Sequence, residues 1–167
     1  MAALGAAWAG CGGPEGEAGD ATPGTFIAFA RDFASYKTWT RYEIPGAPAV
    51  GQVHIAGLRT VYVNQLPPPD ARAFPVGTLI AKEMESGEIF ARAKRGGDYN
   101  KSGAAGWEWF DLKNDPAGIV IVWRGIAPPA GSCSYGAVVG GVCNDCHGAA
   151  PANDFVLSAA LRLGTAP

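Results

Sequence analysis

A chain of 167 residues, 48% hydrophobic and 17% charged, is long enough and apolar enough for one folded domain and is not a disordered segment. A formal net charge of −2 carries no basic excess, so nucleic acid is not an expected partner. Glycine (24) and proline (13) are frequent enough to punctuate the chain with turns, which argues against a helical bundle.

In chain order, residues 1–24 stand apart from the rest. Met1–Ala9 are small and apolar, and Leu-Gly-Ala-Ala-Trp-Ala-Gly-Cys ends at Cys11. This pattern is similar to the end of a bacterial lipoprotein signal, in which a lipid-modified cysteine follows a pair of small residues. Cys11 is then the expected anchor to a membrane, although Trp8 stands where leucine is usual. A terminus with an incidental cysteine is the plainer alternative. Gly12–Gly24 has no apolar periodicity and reads as a tether to a domain over 25–167.

Phe26, Phe29 and Phe33, with Ala30 and Tyr36, fall at helical spacing and predict one helix over about 25–37. Tyr36–Pro45 leads out of it. From about 52 to 123 the pattern becomes β-branched and aromatic, in short runs bounded by Gly, Pro, Asn and Asp. The runs are Val53–Val63, Gly77–Met84, Glu88–Lys94, Trp107–Leu112 and Gly118–Arg124. They predict four or five antiparallel strands. Leu66-Pro-Pro-Pro-Asp70 stiffens one connection, and Phe155–Leu163 reads as a closing helix capped by Asn153 or Asp154. The expected fold is therefore α+β: mainly an antiparallel β-sheet, with an N-terminal and a C-terminal helix.

Cys143-Asn-Asp-Cys-His147 has the spacing of covalent c-type haem attachment. Two thiols three positions apart can add to the two vinyl groups of one porphyrin, and the adjoining histidine becomes the iron's ligand. Zinc bound by Cys133, Cys143, Cys146 and His147 is an alternative, but the adjacent Cys146 and His147 fit two corners of one tetrahedron poorly. A Cys-x-x-Cys redox pair is another, without the βαβ pattern that usually carries one. Only 20 residues follow His147, and none is Met or His. The internal Met84 and the other histidine, His54, both lie in the strand region. An iron open to small molecules on its second side is thus favoured, with His54 as a sixth ligand in an electron-transfer alternative.

Leu58-Arg-Thr-Val-Tyr-Val-Asn64, Phe74-Pro-Val-Gly-Thr-Leu-Ile-Ala-Lys-Glu83, Ala93-Lys-Arg95, Gly106-Trp-Glu-Trp-Phe110, the haem motif and Asn153-Asp-Phe-Val-Leu-Ser158 follow one another along the chain. In this order and spacing the chain, from about 25 to 163, resembles the cytochrome P-460 family and its relative cytochrome c′-beta. The resemblance implies a small β fold, a homodimer, and a single haem c attached near the C-terminus. Within this family, the P-460 cytochromes carry a lysine cross-link to the porphyrin and oxidise hydroxylamine with nitric oxide to nitrous oxide. They pass electrons to a partner protein. The c′-beta proteins lack the cross-link and bind nitric oxide in an apolar pocket. A periplasmic location follows from haem attachment outside the cytoplasm.

By this resemblance the cross-link lysine is Lys82, which shares an apolar strand face with Ile80 and Met84; Lys94 competes for the role. A lysine there needs a reason, since burying an ammonium is costly, and a strand-end lysine reaching water is the alternative. The pocket arginine is Arg59, suited to a haem propionate. The distal carboxylate has two placements. One is Glu108, between Trp107 and Trp109. The other is the strand position held by Phe90, with Glu88 two residues before it on the same face. Either glutamate could equally be a solvated strand residue. A pocket closed by Phe90 without a base suits ligand binding better than hydroxylamine oxidation, which must release protons.

Overall fold

The computed structural model describes residues 24–45, 58–129 and 143–164. Six strands form one antiparallel sheet: β1 (Thr40–Ile44), β2 (Arg59–Val63), β3 (Leu79–Met84), β4 (Ile89–Lys94), β5 (Trp107–Asp115) and β6 (Gly118–Gly125). Their spatial order is their order in sequence, so the sheet is a plain meander. Turn chemistry explains the tight corners. Gly87, at φ +91°, closes β3 onto β4, and Pro116-Ala117 closes β5 onto β6 with Asp115 accepting the Ala117 N–H at 3.1 Å. β1 was read from sequence only as a lead-out segment. Its alternation is weak because it is a half-exposed edge strand.

Period-2 alternation gives the sheet two faces. On one, Leu79, Ala81, Ile89, Ala91, Ala93, Phe110 and Leu112 pack under Phe33 and Tyr36. The alanines leave room for the rings, and Phe33 meets Phe110 at 5.2 Å between centroids. On the other, Val61, Val63, Ile80, Trp107, Trp109 and Trp123 pack with Phe74, Val156 and Leu161, and Cys143 and Phe155 lie against this group.

Neither predicted helix forms. Over 25–37 there are two short 3-10 turns, Ala30–Phe33 and Tyr36–Thr38. The backbone before them is committed to the sheet: Phe26 N–H donates to the Arg95 carbonyl at 2.9 Å, and Arg124 donates to the Ala28 carbonyl at 2.7 Å. These bonds tie the segment to the sheet, and Phe29, extended at φ −120° and ψ 167°, keeps the chain out of a helix before Ala30. Over Phe155–Leu163 the chain turns irregularly after a 3-10 turn at Pro151–Asn153. Asp154 and Phe155 take left-handed conformations, φ 48° and 64°, which no right-handed helix admits. Asn153 replaces the helical hydrogen bonds: its amide nitrogen donates to the Val156 and Leu161 carbonyls, and its oxygen accepts from Leu163 N–H. The only α-helix among the described residues is α1 (Cys143–His147), so none there is long and apolar enough to cross a membrane.

Candidate haem site

Helix α1 is the five-residue segment Cys143-Asn-Asp-Cys-His147 itself. Its spacing puts Cys143, Cys146 and His147 on one side of a single turn, at i, i+3 and i+4. Both thiols are half-buried and neither is in a disulfide. The turn ends in Gly148, where a Cβ would meet the Asn144 carbonyl at 2.7 Å, so glycine permits the close approach.

Asn144 holds this turn to the protein. It exchanges two 2.8 Å hydrogen bonds with Asn100, and its oxygen also accepts from Ala104 N–H and Trp109 Nε1. Gly103 leaves the space it needs, since a Cβ there would fall 2.4 Å from the Asn144 amide. Asn100 itself sits at φ 53°, a conformation asparagine tolerates better than most residues.

The His147 ring lies 4.4 Å from that of Trp109. Its Nδ1 is 2.8 Å from the Phe155 carbonyl and 3.2 Å from Arg92 Nη1. A guanidinium only donates, so an unprotonated Nδ1 could accept from Arg92 but would repel the carbonyl. The shorter contact decides: hydrogen-bond geometry assigns the proton to Nδ1, which donates to Phe155. In the neutral ring the lone pair is then on Nε2, the arrangement common to metal-binding histidines. Two thiols outside any disulfide and this histidine tautomer on one turn are a donor set that fits a c-type haem.

Strand register brings three of the sequence-predicted residues to the same face as His147. Lys82 pairs with Phe90, and Arg59 with Met84. Lys82 Nζ sits 5.2 Å from the Phe90 ring centroid. Burial, then the positive charges of Arg59 and Arg92, pull the Lys82 ammonium from 10.5 down to about 8; Cys143 and Glu88 act the other way. A face with Lys82, Arg59 and Arg92 together favours an anionic occupant. Because the folded value lies below the unfolded one, stability rises with pH across that window, as the unfolded chain still binds a proton that the folded one has released. In the haem-free protein, Lys82→Met should therefore raise stability over the parent most below pH about 8, and the difference should close towards pH about 10.5. Denaturant unfolding at several pH values checks this, and a pH-independent difference would refute it.

Glu108 does not belong to this face. It is 2% exposed on the opposite side, where Arg124 grips it bidentately at 2.8 Å and Arg95 approaches at 3.4 Å. The flanking tryptophans take the His147 face, and alternation turns the glutamate away. Glu88 is exposed at the rim and accepts from Ser86 at 2.8 Å. Met84 is buried. Lys94 shares the His147 face but is held in a 2.6 Å ion pair with Asp154. His54, Cys11 and Cys133 lie outside the described residues, and with Cys133 so does the zinc alternative. Among the described residues no three His, Cys, Asp or Glu side chains gather as a metal group.

Sequence reasoning missed Arg92 and Asp111. Arg92 is 6% exposed, with its guanidinium 4.9 Å from the Trp107 ring and 5.8 Å from the Trp109 ring. Asp111 is buried and pairs across the sheet with Phe90. Continuing the alternation from Phe90 to Arg92, and from Trp109 to Asp111, would have found both. Comparison with family models, with curated proteins and with solved structures finds no match to this chain.

Proposed function

We propose that this chain is a mono-haem c-type cytochrome that binds a small nitrogen species, hydroxylamine or nitric oxide, on the side of the iron away from His147. The observation that carries the reading is the convergence on one sheet face of the Cys143–Cys146–His147 turn, its histidine carrying the Nδ1 proton, with Lys82, Phe90 and Arg59. Bound haem would supply an iron that coordinates the nitrogen ligand and exchanges electrons.

The chain's own residues would do the rest. Cys143 and Cys146 would hold the porphyrin through two thioethers, and His147 would ligate the iron through Nε2. Arg59, with the cationic field around it, would pair with propionate. Lys82, partly uncharged near pH 8, would present an amine to the porphyrin edge, where a cross-link would replace a porphyrin C–H bond by C–N, two protons and two electrons leaving to an external oxidant. Phe90 would exclude water from the ligand. The kinship suggested by the sequence, to the cytochrome P-460 family, belongs to this proposal. So do a homodimer, an electron-accepting partner protein, and a periplasmic protein tethered by lipid at Cys11.

A second reading has an observation in its favour. With Glu108 turned to the other face and Phe90 buried beside Lys82, an aromatic ring stands where a proton-accepting glutamate was expected. That favours reversible nitric oxide binding over hydroxylamine oxidation, unless Asp111 takes the proton.

The visible spectrum of the ferrous protein, matured through a c-haem pathway, separates the readings. A strongly red-shifted Soret band is expected if Lys82 is cross-linked. An ordinary five-coordinate c-haem spectrum supports the nitric-oxide reading, and sharp six-coordinate α and β bands favour electron transfer. Absence of covalent haem would sink the proposal.

A further inference from the structure

Resting on the haem reading, one contact goes beyond it. His147 and Arg92 donate to the same oxygen, the Phe155 carbonyl, at 2.8 and 3.1 Å. That oxygen is not free to move. Phe155 and Asp154 are both left-handed, the Asp154 carboxylate accepts from Phe74 N–H at 2.9 Å and from Lys94 at 2.6 Å, and its carbonyl accepts from Trp107 Nε1 at 2.7 Å. Arg92 is equally fixed, lying over two tryptophan rings on the central strand β4.

The consequence is electrostatic. A histidine that donates strongly through Nδ1 becomes a richer electron donor through Nε2 and favours ferric iron. A carbonyl already shared with a guanidinium is a poorer acceptor, so His147 donates less. The guanidinium also sets a fixed positive charge 3.2 Å from the ring, in buried surroundings where charge acts strongly. Both effects push the same way.

We infer that Arg92 is a proximal-side positioning residue, which by sharing the Phe155 carbonyl with His147 keeps the histidine a weak, neutral ligand and biases the iron towards the ferrous state. Ferrous iron is the form that holds nitric oxide tightly, so the bias suits a site for that ligand.

The test is spectroelectrochemistry of the full, haem-loaded protein with Arg92→Gln and Arg92→Lys. Arg92→Gln retains a donor but loses the charge. At the parent's midpoint potential its ferric-to-ferrous ratio should rise about tenfold, about 59 mV for a one-electron couple. Its ferrous iron–histidine stretching band should move to higher frequency. Arg92→Lys restores the charge and should stay within about threefold of the parent. A glutamine variant that holds haem and stays within about twofold overturns the inference, as does a lysine variant shifted as far as the glutamine one. If Arg92→Gln does not accumulate, the parent decides: an iron–histidine band in the high range of strongly donating, histidinate-like ligands overturns the inference. Absence of covalent haem in the parent is a different result, which removes the functional reading itself.

Discussion

Replacing Lys94 by methionine should lower the unfolding free energy by about 3–5 kcal/mol, the usual cost of leaving one member of a buried ion pair behind. Lys94 and Asp154 meet at 2.6 Å, with side chains only 10% and 7% exposed. Methionine nearly fills the lysine's volume, so the loss comes from the stranded Asp154 carboxylate and not from a cavity. The Lys94 ammonium also donates to the Ala105 carbonyl at 3.1 Å, so a second group loses its partner. Guanidinium unfolding of the haem-free protein measures the loss, and a change below about 1 kcal/mol would show that the pair is not structurally important. Adding Asp154→Leu to Lys94→Met should cost less than the sum of the two single changes, since the charge left behind is removed as well. Asp154 also carries the turn that aims the Phe155 carbonyl, so the single variant should disturb His147 without touching it.

The second large effect concerns the thiols. On the proposed function, Cys143→Ala with Cys146→Ala in a Lys82→Met background, where no amine link to the porphyrin can remain, should abolish covalent haem: no haem-staining band should survive denaturing electrophoresis. Either single change should leave one thioether, and the α band of its pyridine complex should fall between those of c-type and b-type haem. Half-burial of both sulfurs on one turn means that the two are presented together, so neither is expected to be dispensable for full attachment. Undiminished haem staining in the double variant would remove Cys143 and Cys146 from the site and with them the proposed function.

Much of the sheet is legible in the sequence because β3 to β6 are short apolar runs bounded by Gly87, Asp115, Pro116 and Gly118. Alternation alone predicts that Lys82, Ile80 and Met84 share a face, and they do. It does not say which face of β5 meets the histidine. Glu108 was therefore open to the pocket in sequence and is turned from it in the fold, because Trp107 and Trp109 pack with the C-terminal segment. The helices failed for a different reason. Phe26, Phe29 and Phe33 have helical spacing, but the segment is instead tied to the sheet by the Phe26 N–H to the Arg95 carbonyl, just past β4, and by the Arg124 side chain to the Ala28 carbonyl. Asn153 and Asp154 look like caps, yet their side chains bond distant partners, Leu163 and Lys94, which no local pattern reveals. Arg92 was missed because a strand arginine is ordinarily solvated, and only the fold puts it under two tryptophans beside His147.

The meander also divides the order of assembly. Every strand pairs with its neighbour in sequence, so no pairing in the sheet needs a closure longer than one strand-to-strand connection. The C-terminal segment reaches much further: His147 meets Arg92 across 55 residues, and Asp154 meets Phe74 across 80. Those closures are expected to come late, once a platform exists to receive them. Until then Cys143 and Cys146 would ride on an undocked segment, accessible to whatever would join them to a porphyrin on the proposed function, and docking through Asn144 and Asp154 would shut that window.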